Sequence, residues 1–263
     1  MSQVKTPAVV LGTSALGEAD LMVVLLTADL GKVRTAAKNA RNSKRRFAGG
    51  LPAGALGQAT VSRRREGAMW RLDGFASIAE VSGLGRDLTR FAYVNYLCEL
   101  TDVLVVEPEP DPRSFAALAE AVGETLRSPP RPAVMRRYEL RLLDSLGLLP
   151  SLESCCVCGA ATGIGAETAF VAGRGGALCV VHGVGAPRIP AETLALATAL
   201  HRDAEPEAAW EAATGAPTEV RRALRDLVQS VLRPHLRRPL RSLEFLAALT
   251  PRGAVDRATD DAP

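Results

Sequence analysis

Four side chains in the middle of the chain have the types and the spacing to hold a metal ion. Cys155 and Cys158 form a C-x2-C pair, and twenty residues later Cys179 and His182 form a C-x2-H pair. Two ligands three positions apart can reach one ion from a tight turn. Two such knuckles facing each other complete a tetrahedral shell, the arrangement of a zinc ribbon. Gly159, Gly173, Gly175 and Gly176 supply the residue type that such turns use. With four protein ligands no position is left for a reactive water, so Zn2+ held here would be structural. Cys156 competes with Cys155 for the first knuckle, but C-x-C is the poorer chelate and Cys156 reads as a bystander. The alternatives are a disulfide, a redox C-x2-C pair and an empty, degenerate site. The first is disfavoured in a reducing compartment and the second by the presence of a second knuckle. Cys98 lies in an apolar run and reads as packing.

A second chemistry is electrostatic. The 263 residues carry a net charge of only +3, with 47% hydrophobic and 23% charged residues and a mean hydropathy of +0.08. This composition excludes a disordered chain or a coiled-coil rod. The charge is unevenly distributed. Lys32, Arg34, Lys38, Arg41, Lys44, Arg45, Arg46, Arg63, Arg64, Arg65 and Arg71 share their stretch with a single acid, Glu66, so the stretch carries +10 and the rest of the chain −7. A solvated loop would explain one basic run. Two runs on neighbouring elements make a positive groove for phosphates, with Phe47 or Trp70 as optional stacking groups.

Elements able to position these residues follow from the pattern of apolar positions. Val4 to Leu11, Leu21 to Thr27, Lys32 to Lys38, Ala55 to Arg64 and Met69 to Val81 read as five short strands punctuated by Gly, Pro and Asp. Five strands in about 80 residues suit a small barrel such as the OB-fold. Beyond Gly85 the period becomes helical. Asp87 to Val106 is apolar on nearly all sides, and Ser114 to Arg127 and Ala133 to Leu146 follow. Later come Ala191 to His201, Pro217 to Leu232, with Arg221, Arg222 and Arg225 opposite its apolar stripe, and a short Leu243 to Leu249 that Ser242 would cap. The expected class is α+β: an OB-fold over 1–81, a helical domain in two parts (82–150 and 187–250), a zinc-binding insert over 151–186 and a flexible tail over 251–263.

Several chemistries are not visible. There is no G-x-x-x-x-G-K-[ST] loop and no G-x-S-x-G elbow, and His201 and His235 read as surface residues. No carboxylate pair suggests catalysis, and an enzyme is not expected. The longest apolar stretch, Leu21 to Leu26, is far short of the ~18 residues a bilayer requires, and the first residues lack an apolar targeting core. A cytoplasmic, nucleoid-associated location is expected.

The order of parts, and three motif-bearing segments, resemble the bacterial RecO recombination mediators. Val9 to Gly49 contains a Gly-Glu-x-Asp turn, a Thr-x3-Gly-Lys hairpin and an Ala-Lys-x-Ala-Arg segment. Tyr138 to Gly159 is similar to the family's helix running into its first knuckle, and Leu236 to Leu246 to its closing helix. The second knuckle ends in His182 where the family commonly has Cys, an exchange zinc tolerates. The resemblance implies an OB-fold, a helical domain and a zinc-ribbon-like insert. It also implies binding of single- and double-stranded DNA, annealing of complementary strands, and partnership with RecR, with the tail of single-stranded DNA-binding protein (SSB) and, indirectly, with RecA. For an acidic, hydrophobic-ended tail, Arg136, Arg137 or Arg141 would be expected to rim the groove. Readings from other classes are a protein-interaction adaptor with a structural zinc and an RNA-binding OB/zinc module. Preference for RNA over DNA of the same sequence would separate the latter.

Overall fold

A computed structural model describes the chain except residues 1, 44, 48, 79–83, 107–108, 164, 203–204 and 250–263. Five strands, β1 (Ser2–Ala15), β2 (Leu21–Thr27), β3 (Gly31–Ala37), β4 (Leu56–Arg63) and β5 (Trp70–Ser77), close into a barrel in the order β1-β2-β3-β5-β4. Closure works because β1 is long enough to serve two partners. Its first half pairs with β4 (Ser2↔Arg63 to Val9↔Leu56) and its second half with β2 (Ala8↔Thr27 to Ala15↔Leu21), with a register shift between Val10 and Gly12. β3 and β5 complete the circle by a short parallel contact, Thr35↔Trp70 and Ala36↔Arg71. This is the OB-fold. β1 runs four residues beyond the expected Leu11 because β2 continues its ladder, which shortens the turn to residues 16–20, where the Leu16 N–H donates to the Asp20 carbonyl at 3.1 Å. β5 ends at Ser77, and the last expected residues, 79–81, lie outside the described residues, as does the expected tail 251–263.

The barrel interior is filled from alternate positions, Val23, Leu25, Val33, Ala59, Val61 and Leu72 among them, all 3% exposed or less. Each fully buried Leu contributes roughly 1.5–3 kcal/mol. Helix α1 (Leu88–Leu104) starts at Asp87, whose carboxylate accepts the Arg90 N–H at 2.9 Å, and buries Val94, Leu97, Cys98 and Leu100. It packs against the barrel. A Cβ on Gly54 (φ +82°) would meet Val94 Cγ1 at 2.1 Å, and the Cys98 thiol, pushed up to about 12 by burial, points at the Val10 carbonyl at 3.6 Å. Leu88 and Phe91 stand in solvent at 56% and 39% exposure, so α1 is not apolar-buried on every side. Helix α2 (Pro112–Arg127) is capped by Asp111. Together with helix α7 (Arg241–Leu249), these elements form one compact unit, the described residues up to Pro130 and those from Arg238 on. Ser242 does not cap α7 through its own hydroxyl. The Glu99 carboxylate of α1 accepts the Ser242 N–H (2.8 Å) and hydroxyl (2.7 Å) and pairs with Arg238.

The second unit spans Arg131–Arg237. Helix α3 (Pro132–Ser145) is buried at every position from 133 to 140. It therefore carries its charges inside. Arg136 pairs with Glu139 at 2.7 Å, their side chains 9% and 0% exposed, and Arg137 donates to the Leu200 carbonyl at 2.7 Å. The expectation that Arg136 and Arg137 rim an exposed groove is therefore overturned. A small antiparallel sheet, β7-β6-β8 (β6 Glu167–Val171, β7 Gly176–Leu178, β8 Arg188–Pro190), precedes helices α4 (Ala191–Arg202), α5 (Pro206–Gly215) and α6 (Thr218–Leu232). Helix α5 has no counterpart in the sequence reading. Only Ala209, Trp210 and Ala213 of it are buried, too few apolar positions to show a period. No helix among the described residues is long and apolar enough to cross a membrane.

Candidate metal centre and nucleic-acid interface

The first knuckle hangs on two backbone bonds. The Gly159 N–H donates to the Cys155 carbonyl (2.8 Å) and the Cys155 N–H to the Ala160 carbonyl (2.7 Å), with Gly159 in the left-handed region at φ +74°. The second knuckle leaves β7 at Leu178 and closes with the Gly183 N–H on the Cys179 carbonyl at 2.8 Å. A side chain at 183 would collide with Ala169 of β6 at 2.6 Å, so the turn requires glycine there.

The ligand atoms of Cys155, Cys158, Cys179 and His182 lie within 4.8 Å of one another. His182 Nδ1 is 3.3 Å from Cys179 Sγ and 3.6 Å from Cys155 Sγ, and the Cys158 and Cys179 sulfurs are 3.8 Å apart. A tetrahedron with Zn–S bonds of ~2.3 Å has S–S edges of about 3.8 Å. The donor set fits that ion in number, chemistry and spacing. Cys156 is turned away, its sulfur 3.2 Å from the Arg174 carbonyl.

The electrostatics of the four groups favour a bound cation. Burial alone raises a thiol, yet Cys155 is held down to about 5 because the N–H groups of Cys179, Val157 and Cys158 point at its sulfur. The His182 N–H and imidazole likewise lower Cys179. At Cys158 the Ala160 N–H favours the thiolate, but burial and the neighbouring sulfurs of Cys155 and Cys179 outweigh it and the thiol is raised. His182 is raised, first by Cys179 and then by Cys155, as an imidazole beside two thiolates must be.

The basic residues separate into different environments. Lys32 is 5% exposed, its Nζ donating to the Asp102 carbonyl of α1 at 2.7 Å and lying 3.4 Å from the Asp102 carboxylate. It joins helix to barrel and is not presented to solvent. The Thr-x3-Gly-Lys hairpin serves the same joint, since a Cβ on Gly31 (φ +66°) would meet the Glu109 carbonyl at 2.2 Å. Phe47 is 4% exposed, anchored because the Arg46 carbonyl accepts the Phe75 N–H (2.9 Å), while the Arg46 guanidinium lies 5.1 Å over the Phe47 ring and bonds the Lys38 carbonyl at 2.6 Å. Phe47 is thus a core residue of the β3–β4 loop, out of reach of a base. Lys38 is paired with Asp20 at 2.6 Å, and Asp20 also accepts the Asn39 N–H at 2.7 Å. That N–H, then Lys38, holds the Asp20 carboxyl below its ordinary value. Asp20 was missed as an anchor of the basic loop because it lies outside the basic stretch, in the β1–β2 turn; the Gly-Glu-x-Asp motif was its signal.

Arg41, Arg45, Arg64 and Arg65 are exposed and form no ion pair among the described residues, and Arg34 is exposed on β3. Arg63, at the end of β4, lies 4.5 Å over the Trp70 ring, and Arg71 pairs with Asp73 at 3.0 Å. Lys44 lies outside the described residues. The exposed cations of this stretch without ion pairs among the described residues therefore belong to the loop after β3 and the β4–β5 turn.

Comparison with known proteins agrees with this anatomy. The chain matches the family model "Recombination protein O N terminal" over residues 1–80 and "Recombination protein O C terminal" over residues 85–244. It is 38% identical over 254 residues to the DNA repair protein RecO of Anaeromyxobacter dehalogenans, covering 95% of this chain and 98% of that protein. With the DNA repair protein RecO of Myxococcus xanthus it shares 35% over 248 residues (94% and 98%), and with that of Geobacter sulfurreducens 35% over 257 residues (95% and 100%). A barrel of this topology, the helices after it, the Cys/His cluster and full-length similarity at this level lead to one conclusion: the chain belongs to the RecO family of DNA repair proteins.

Proposed function

We propose that the protein is a recombination mediator that binds single- and double-stranded DNA through the basic rim of its barrel and anneals complementary strands. With RecR it helps to load RecA on DNA coated by SSB, in the cytoplasm at the nucleoid. The observation that carries the DNA-binding reading is the set of four arginines, Arg41, Arg45, Arg64 and Arg65, exposed around the barrel without ion pairs among the described residues. Desolvated pairs are already neutralised, whereas free guanidinium groups gain by displacing the counterions of a phosphate chain. Arg34, Lys38, Arg46 and Arg63 border the same elements. Annealing requires little further chemistry. Neutralising the phosphates of two strands removes their repulsion, and leaving most base edges free lets them test pairing.

Cys155, Cys158, Cys179 and His182 hold Zn2+ in this reading. Its role is to cross-link the two knuckles, so its binding energy is folding energy of the insert. Neither metal nor barrel offers a reactive centre, and the activity is non-enzymatic; ATP turnover abolished by a substitution in this chain would overturn that. The test of the whole reading is a salt series of single-stranded DNA binding by the full chain. About five phosphate contacts give a log–log slope near −3.5, at roughly −0.7 per contact. A flat salt dependence would reject it. For the metal, zinc measured by elemental analysis near one per chain, and lost together with thermal stability in Cys179→Ser, is the expected result.

A further inference from the structure

We propose that Trp70, held against Arg63 at the end of the barrel, is a stacking platform for one unpaired base of a bound single strand. The inference rests on the DNA-binding reading above and adds to it a contact that distinguishes single strands from duplex.

The barrel contains three aromatic side chains among its described residues. Phe47 and Phe75 are 4% and 3% exposed and belong to the core, whereas Trp70 is only half-buried. The other tryptophan, Trp210 of the second unit, shows what a structural indole looks like in this chain: 2% exposed, with Arg131 at 4.8 Å over its ring. Trp70 is the first residue of β5, opposite Thr35 of β3 in the short parallel contact and beside Arg63 at the end of β4. Met69, preceding it, is 58% exposed, so apolar surface continues outward from the ring. A β-strand start does not require an indole, and a large ring partly in solvent is explained by something that covers it.

The cover in the unliganded chain is the Arg63 guanidinium, 4.5 Å from the ring centroid. An exposed cation–π contact favours the stacked state by a factor of about two to five, whereas a base on an aromatic ring is worth about five to a hundred. The exchange therefore runs toward the base. The displaced guanidinium is released beside Arg64 and Arg65, where the backbone of the stacked nucleotide supplies a phosphate. A base inside a duplex is already stacked on its neighbours and gains nothing. One platform among many phosphate contacts fixes the strand without sequestering the bases that must pair.

Intrinsic fluorescence of the unmodified full chain tests this without any variant, because Trp210 is enclosed and Trp70 is the indole within reach of DNA. Oligo(dT) should quench the emission. An abasic strand of equal length should bind, by anisotropy of its label, with little quenching, and duplex likewise. Trp70→Leu should remove the quenching and weaken oligo(dT) binding about tenfold, leave abasic and duplex affinities within about twofold, and keep the salt slope; Trp70→Phe should retain most of the affinity. Binding of oligo(dT) with unchanged emission, and equal affinity for the abasic strand, would overturn the stacking role while leaving the DNA-binding reading intact. No binding of either strand at moderate salt would overturn both.

Discussion

Arg64 and Arg65 in the β4–β5 turn of the barrel stand in solvent with no acid paired to them among the described residues. Arg136 and Arg137 on α3 of the second unit, by contrast, are 7% and 4% exposed, with a carboxylate and a backbone carbonyl at 2.7 Å. The same side chain does opposite work in the two regions. On the barrel its charge is unspent and available to a polyanion. In the helical unit it is consumed internally, because a desolvated guanidinium is tolerated only where partners satisfy it. A basic residue therefore says little about nucleic acid until its partner is known. Lys32 illustrates the point within the barrel itself, since it lies in the basic stretch yet is spent on Asp102.

Substitutions should divide along the same line. The largest effect is expected inside: Arg136→Met leaves the fully enclosed Glu139 without its 2.7 Å partner and should cost about 3–5 kcal/mol in denaturant unfolding, with DNA affinity of the folded protein unchanged. A loss of DNA affinity with intact stability would break the comparison. Next is the rim. Arg45→Gln, Arg64→Gln and Arg65→Gln combined should flatten the salt slope by about 2 and weaken single-strand binding about 100-fold at 0.1 M salt, with stability nearly unchanged. The corresponding change at Arg221, Arg222 and Arg225 on α6 should weaken it far less; the reverse order would move the interface to the helices.

A smaller effect is expected where a charge is half-enclosed. Burial opposes the Glu99 carboxylate, but the Ser242 hydroxyl and N–H, with Arg238, hold it below its ordinary value of 4.5. The stabilisation is therefore present above 4.5 and is lost as pH falls from there through the lowered value. Glu99→Gln should cost about 1 kcal/mol at pH 7, as for a lost helix cap, and this difference from the parent should shrink in acid. Equal differences at pH 7 and pH 3 would show that the carboxylate charge is not what holds α7. The smallest effect is expected at Cys156, whose sulfur faces the Arg174 carbonyl. Cys156→Ser should change neither zinc content nor melting temperature, and loss of zinc would mean that it belongs to the shell.

Local features survive reading from the sequence alone. The spacing of Cys155, Cys158, Cys179 and His182 determined which four ligand atoms meet, because a knuckle is closed by backbone bonds within four residues. The short apolar run of β2, bounded by turn residues, and the alternation in β4, which buries Gly57, Ala59 and Val61 at every second position, marked both as barrel strands. Features that depend on a distant partner were decided only by the tertiary structure. Asp102, 70 residues away, removes Lys32 from the basic surface; Glu99, 143 residues from Ser242, is the cap of α7; and the enclosure of Phe47 and Phe75 leaves Trp70 as the ring in reach of solvent among the described residues of the barrel. Charge and aromaticity are properties of a residue, whereas exposure and pairing are properties of its neighbours, and in this chain the neighbours that matter come from other elements.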